Sequence, residues 1–384
     1  MRRTLFDADH ERFRETVREF VAREVVPNLE KWEDDRLIGR DTWQAAAKHG
    51  LFGIAVPERF GGGGTTDYRF RCVIIEEFLR ANAAALANSF TLQDDVVLPY
   101  LLQFGNDDQH QRWLPGMTTG DIIGAIAMTE PGAGSDLQGI RSTAVRDGDD
   151  WILNGAKTFI SNGINADLVI VLCRTNDGRG SAALSLLVVE RGMEGFERGR
   201  KLRKLGLNAQ DTAELSFTDV RVPAANLLGQ EGKGFGYLMT NLPLERLSVA
   251  YQSLAASRAA IAWTLGYITD RKAFGKSLSS FQNTQFELAD MVTELDIFEA
   301  YMDKSVQMLN EGELSPVDAA KGKYWGSELQ KRIVDRCLQL FGGYGYMLEY
   351  PIARAYADAR VQTIYGGTSE IMKTIIGRDV TGSR

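Results

Sequence analysis

Ala127-Met128-Thr129-Glu130-Pro131-Gly132-Ala133-Gly134-Ser135-Asp136 stands where the chain changes character. Before it, apolar residues recur at helical spacing. After it come short β-branched and aromatic runs separated by turn residues. The stretch combines hydroxyls with small residues, so a flat or phosphorylated ligand can approach its backbone N–H groups closely. Gly-x-Gly-Ser alone reads as a plain turn; the ten-residue string is far more specific.

Toward the N-terminus, Phe6, Phe13, Val17, Phe20 and Val21 space as one face of a helix, which Pro27 should end. A second helix is expected from Arg40-Asp41-Thr42-Trp43 to Gly50. Residues 56–64 form a glycine-rich loop. That loop is no phosphate cradle, because no Gly-Lys-Ser/Thr follows it. Helices are expected over 67–81 and 93–104, with Asp107 or Asp108 capping another. On the other side, strands are read at Trp151-Ile152-Leu153, Thr158-Phe159-Ile160, 168–173, 184–189 and 213–217. Turn signals lie at Asp147-Gly148-Asp149, Asn154-Gly155, Asn162-Gly163 and Asp177-Gly178. This spacing argues a β-sandwich or small barrel rather than a parallel sheet. After Gly229-Gln230-Glu231-Gly232-Lys233-Gly234 the helical period returns, predicting helices over 235–270, 282–310, 316–341 and 351–362 and a short one after Thr368. No strand leads through Gly-x-Gly-x-x-Gly into a helix, so a Rossmann site is unsupported. The expected fold class is α+β in three units: a helical domain 1–124, a β domain 125–230 and a helical domain 231–384.

Composition narrows the function classes. With 384 residues, 44% hydrophobic and 25% charged, the chain is an ordinary globular protein. A net charge of −7 argues against nucleic acid as partner. Cys72, Cys173 and Cys337 lie far apart with no Cys-x-x-Cys, which indicates no zinc ribbon or disulfide framework and fits a reducing compartment. Three histidines without Gly-x-Ser-x-Gly do not support a hydrolase. No apolar run reaches the ~20 residues of a membrane span. Met1-Arg2-Arg3 leads at once into an acidic helical pattern, so a cytoplasmic protein is expected, or a mitochondrial-matrix one if a presequence was removed.

One acid stands out by its setting. Pro243-Leu244-Glu245-Arg246-Leu247 puts a carboxylate among leucines, on a pattern that continues through Tyr251, Leu254, Ile261, Leu265 and Ile268. Pro243 should open this helix or kink it. A carboxylate held against hydrocarbon has its pKa raised, which suits a proton acceptor near neutral pH. A solvated surface Glu is the plainer alternative. Glu76 and Glu77 beside Val73, Ile74 and Phe78 read as solvated, Glu130 as a loop-structural residue and Asp136 as a turn residue. Trp43, Trp113, Trp263 and Trp325 read as core.

Five strings together resemble the acyl-CoA dehydrogenase family, in the family's order and across essentially the whole chain. They are residues 127–136, Lys157-Thr158-Phe159-Ile160-Ser161-Asn162-Gly163, Arg271-Lys272-Ala273-Phe274-Gly275-Lys276, Gln339-Leu340-Phe341-Gly342-Gly343-Tyr344-Gly345 and Ile364-Tyr365-Gly366-Gly367-Thr368. Within the family, 150–155, 210–215, 323–330 and 365–373 look most like the long-chain members. The resemblance implies helical, β and four-helix-bundle domains and one FAD per subunit. Ala127, Met128, Thr129, Gly134, Ser135, Phe159, Ile160 and Ser161 would hold the isoalloxazine side. Arg271, Phe274, Gln282, Gln339, Gly342 and Gly343 would reach the pyrophosphate or adenine of a FAD in a neighbouring subunit, and Thr368, Ser369 and Glu370 would also touch FAD. A homotetramer is implied.

The implied reaction removes an α proton from a fatty acyl thioester and a β hydride to flavin N5, giving the trans-2-enoyl-CoA, with electrons passing to an electron-transfer flavoprotein. Many members carry the base in a Tyr-Glu-Gly-Thr motif, but this chain reads Tyr365-Gly366-Gly367-Thr368. Long-chain and isovaleryl members place it instead in the motif matched by 243–247, so the resemblance assigns Glu245 as base. It gives the Gly366 N–H as donor to the thioester oxygen. Ser135, Tyr237, Pro243, Leu244, Arg246 and Gly367 then lie near acyl-CoA. A medium or long acyl chain is expected; a branched, isovaleryl-like or steroid-side-chain ester is the alternative. Two rivals remain: an oxidase that hands electrons to O₂, and a silent scaffold that keeps the fold.

Overall fold

In the computed structural model, which describes residues 3–176, 178 and 180–383, helices flank a central sheet. The N-terminal part holds α1 (Ala8–Phe20), α2 (Leu29–Asp35), α3 (Arg40–Lys48), α4 (Arg69–Arg80), α5 (Ala84–Thr91), α6 (Leu98–Phe104) and α7 (Asp107–Thr118). Pro27 does not end the first helical path. A π turn (Val21–Val25) and a 3-10 turn (Val26–Asn28) carry the chain into α2, and proline's missing N–H is harmless in the first turn of a new helix. The cap of α7 is Asn106, one residue earlier than expected; its side chain accepts from Gln109 N at 2.9 Å. The segment read as one helix over 93–104 begins as a second π turn, Leu92–Val97.

β1 (Gly124–Ala127), β2 (Thr143–Asp147), β3 (Asp150–Ser161), β4 (Leu168–Arg174), β5 (Leu184–Glu190), β6 (Phe196–Lys201), β7 (Thr212–Pro223) and β8 (Leu227–Leu228) make one eight-stranded sheet. Its order is β6-β7-β3-β2-β4-β5-β8, with β1 running parallel to β4. Asn154-Gly155 is not a turn, as expected from its composition, but a register shift inside β3. Gly155 has φ +149°, and a Cβ there would stand 2.2 Å from Ser142 Oγ, so only glycine fits. Asp177 of the fourth turn signal lies outside the described residues. β4 is buried on both faces: Leu168, Ile170 and Leu172 join the core shared with α6 and α7, while Val169, Val171 and Cys173 join the core on the other side.

The C-terminal part holds α8 (Gly234–Asp270), a small hairpin of β9 (Lys272–Ala273) and β10 (Lys276–Ser277), then α9 (Gln282–Asn310), α10 (Pro316–Phe341), α11 (Pro351–Ala359) and α12 (Ser369–Thr381). Pro243 neither opens nor ends α8 but lies inside it. From Leu247 to Ala255 every residue is buried, because α4, α9, α10 and α11 surround this part of the helix. Leu265, placed on the buried stripe by periodicity, is 43% exposed. Trp325 is also on the surface rather than in the core, with the Arg332 guanidinium 5.0 Å from its ring centroid. Glu76 and Glu77 are not solvated. Arg3 and Arg14 clamp Glu76, and Arg14, Arg18 and Arg80 clamp Glu77. Among the described residues no helix is long and apolar enough to cross a membrane.

Candidate active site

Glu245 lies on α8 with 7% of its surface exposed. The Tyr100 hydroxyl, brought by α6, donates to Glu245 Oε1 at 2.9 Å. Oε2 has no protein partner among the described residues. Burial pushes the carboxyl pKa up to about 7, against the opposing pulls of the Tyr100 hydrogen bond and the Arg246 guanidinium. Arg246 is equally buried, and its Nε has no partner among the described residues. These two charged side chains are therefore withdrawn from water with donor and acceptor capacity left open.

The turn before α12 closes on the same space. Gly366 and Gly367 have φ of +62° and +96°, a conformation that favours glycine. A Cβ at Gly366 would have one neighbour, Val249 Cγ2 at 3.7 Å. Val249 follows Glu245 by one helical turn, so the two elements look onto a common volume. Lys323 of α10, fully buried, donates to Gly367 O at 2.6 Å. Tyr365 donates to Asn88 Oδ1 at 3.1 Å, and Asn88 Nδ2 donates to Gln210 Oε1 at 2.7 Å. The turn is thus tied to α10, α5 and the β7 approach.

The opening stretch follows β1. Thr158 N donates to Thr129 O at 2.9 Å, which binds the loop to β3. Glu130 is the loop's anchor: its carboxylate accepts from Arg141 N (2.6 Å), Ser142 N (2.9 Å) and Lys157 Nζ (2.9 Å). The Lys157 side chain has no exposed surface and also donates to Met128 O and Leu172 O at 3.1 and 2.6 Å. Lys157→Met strands a buried carboxylate, and removing one partner of a buried pair costs about 3–5 kcal/mol. The expected result is a large drop in the unfolding midpoint. A variant melting with wild type would show that the pair does not hold the loop.

The hydroxyls of Thr129 and Ser161 have no hydrogen-bond partner among the described residues. Phe159 holds φ +60°, strained for an aromatic residue, and is 68% exposed. Ala127 and Ile160 are buried, whereas Gly134 and Ser135 are exposed at the loop tip. A second group gathers elsewhere. Arg271, Gln339, Gly342 and Gly343 line a cavity of about 510 Å³ together with Tyr267 and Tyr344. A Cβ on Gly342 or Gly343 would meet nothing within 4 Å, so the backbone faces open space. The Arg271 guanidinium has no hydrogen bond among the described residues and stands 5.8 Å from the Tyr344 ring centroid. Free hydroxyls beside an exposed aromatic, and a free guanidinium beside open glycine backbone, fit a flavin ring and a pyrophosphate respectively. Phe274, 96% exposed, and Gln282, also exposed, do not line this cavity; they lie in the hairpin that follows Arg271 and at the start of α9.

Some expected ligand residues are occupied within the protein. Tyr237 stacks on Phe104 at 4.0 Å, and its hydroxyl accepts from Gln230 N. Thr368 caps α12, and Ser369 Oγ donates to Glu328 at 2.8 Å. Glu370 lies exposed in the first turn of α12. Pro243 and Leu244 are half-buried beside Glu245. Sequence reasoning missed Tyr100 and Lys323. Tyr100 reads as one more aromatic in an apolar run. Lys323 could have been found: it falls on the buried stripe Ala319, Ala320, Ser327, where a lysine needs a partner.

Residues 7–121, 125–220 and 232–381 match the N-terminal, middle and C-terminal domains of acyl-CoA dehydrogenase. The long-chain specific acyl-CoA dehydrogenase, mitochondrial, of Sus scrofa is 49% identical over 98% of this chain and 88% of that protein. Among solved structures, acyl-CoA dehydrogenase from Geobacillus kaustophilus superposes with TM-score 0.95 at 45% identity, covering 98% of both chains. Glutaryl-CoA dehydrogenase from Mycobacterium smegmatis, in complex with FADH2, gives TM-score 0.91 at 30% identity over 98% of this chain and 96% of that one.

Proposed function

Because the chain belongs to the acyl-CoA dehydrogenase family and is a flavin-dependent acyl-CoA dehydrogenase, we propose that it converts long-chain saturated acyl-CoA to the trans-2-enoyl-CoA with Glu245 as α-proton acceptor. The observation that carries this reading is the buried Glu245 carboxylate, which has no partner for Oε2 among the described residues and lies one helical turn from Val249, the residue whose Cγ2 stands 3.7 Å from where a Cβ at Gly366 would be. FAD, when bound, supplies the acceptor for the β hydrogen. Thr129, Ser161 and Phe159 hold its ring side. Glu245 Oε2 takes the α proton, and its raised pKa makes it a base strong enough near neutral pH. The Gly366 N–H donates to the thioester oxygen, where charge develops. Arg246 lends a buried positive charge beside the acyl-CoA.

The cofactor groups support assembly from more than one chain. Arg271 follows Glu245 by 26 residues at the end of α8. At about 1.5 Å per residue the two lie roughly 39 Å apart, more than one dinucleotide spans. A second copy of the chain therefore supplies Arg271, Phe274, Gln282, Gln339 and Gly343 to each site, within a homotetramer. An electron-transfer flavoprotein takes the electrons onward.

Anaerobic flavin bleaching across straight, branched and steroid-side-chain CoA esters tests the reading. Long straight esters should bleach fastest, by about tenfold or more over C4, since each pocket methylene contributes roughly 1–3 kcal/mol. A faster branched or steroid ester would move the assignment to that class, favoured by the space at Gly366. Stoichiometric peroxide in air would make it an oxidase, and no bleaching at all a scaffold.

A further inference from the structure

We propose that Tyr100 is a positioning residue for the α-proton acceptor: its hydroxyl fixes Oε1 of Glu245 and leaves Oε2 aimed at the substrate. The proposal rests on the reading of Glu245 as base. Tyr100 has no exposed surface, and its hydroxyl has this single partner among the described residues, at 2.9 Å. Burial and the Glu245 charge hold the phenol pKa well above 10, so the tyrosine is the donor and the carboxylate the acceptor. A carboxylate with one oxygen bonded loses rotational freedom, and the other oxygen becomes the one available to a proton.

The segment that carries Tyr100 is itself fastened to α8. Asp95, in the π turn Leu92–Val97, accepts from Ser248 Oγ at 2.8 Å. Ser248 is three residues from Glu245, so both contacts fall on one turn of α8. Asp95 is in turn held by Arg71 Nε at 2.8 Å and Tyr68 Oη at 3.0 Å. The π turn matters to this geometry. One residue more or fewer rotates everything after it by about 100° around the helix axis, which would carry Tyr100 away from Glu245. Wide turns of this kind recur where a side chain must be re-aimed. The charged and titratable groups around Glu245 are Tyr100 on α6, Arg246 on α8, the Asp95–Arg71 pair behind α6, and Lys323 on α10, which acts on Arg246.

Tyr100→Phe removes one oxygen and keeps the ring. A hydrogen bond to the charged form favours it, so its loss raises the base's pKa. In the holoenzyme the acid limb of single-turnover flavin reduction should move up by about one pH unit, the change expected when one hydrogen bond to a carboxylate is lost. Acyl-CoA affinity should change by no more than about twofold, since the replacement keeps the ring and removes only the hydroxyl that bonds Glu245 Oε1. Thermal unfolding gives a second readout. The pH at which wild type and Glu245→Gln stop diverging reports the Glu245 pKa, and it should rise equally when both carry Tyr100→Phe. Incorporating 3-fluorotyrosine at position 100, a stronger donor, should move both readouts the opposite way. A uniform loss of stability with the limb unmoved in both replacements would overturn the proposal. If Glu245→Gln still reduces flavin, the base assignment fails instead, and the two failures are distinguishable.

Discussion

Glu245→Gln should retain FAD and acyl-CoA yet reduce flavin about 10²–10⁴-fold more slowly, the range typical for removal of a general base. Glutamine keeps the shape and still accepts from Tyr100, but it cannot take a proton. Its effect on stability has the opposite sign. Glu245 has a folded pKa of about 7 against an ordinary value of 4.5. Between these values the native state holds a proton that the unfolded chain has released, so wild-type stability falls as pH rises through that window and stays low above it. About 2.5 pKa units correspond to an upper figure near 3 kcal/mol. The variant should therefore be more stable than wild type at pH 8 and no different near pH 4. Activity in wild type should rise through pH 7 as the carboxylate forms. Single-turnover bleaching and unfolding scans across this range check both halves. Near-wild-type reduction by the variant would sink the assignment.

Gly366→Glu in a Glu245→Gly background should bring reduction back to within about 10–100-fold of wild type, starting from a nearly dead parent. The reason is room: among the described residues a Cβ at 366 meets only Val249 within 4 Å, at 3.7 Å, and Val249 lies one turn beyond the missing base. Recovery stays partial because φ is +62° there, and a left-handed residue other than glycine costs about 1–2 kcal/mol. The added glycine within α8 costs about 1 kcal/mol more, so flavin content must be confirmed first. A flavin-loaded double variant with no recovery would mean that the two positions do not overlook the same α carbon.

The long helices were legible because apolar residues at helical spacing resumed after Gly234, with Gly312 after α9, Pro316 opening α10 and Gly342 ending it. α8, α9 and α10 begin and end within one residue of the expected positions. The π turns were not legible, since one extra residue in a helix leaves no compositional mark. Buried polar groups were harder still. Glu76 and Glu77 looked solvated because their arginines come mostly from distant segments, Arg3 and Arg14 among them. Tyr100 and Glu245 are 145 residues apart, and only folding reveals that they share a hydrogen bond. For Glu245 the local pattern allowed a perturbed acid but favoured a solvated one, and a catalytic role came from resemblance to a family motif and from the glycine at 366. Asn154-Gly155 misled because turn-forming composition and a glycine-only bulge look alike in one dimension.

α8 carries the proposed base in its first half and is capped at its far end by Arg271. In the proposed assembly each helix therefore serves two catalytic centres, as host to one and as wall to another. Cofactor retention in that assembly then obeys mass action between subunits: dilution that separates the chains removes the contacts that Arg271 and its neighbours would make to the dinucleotide.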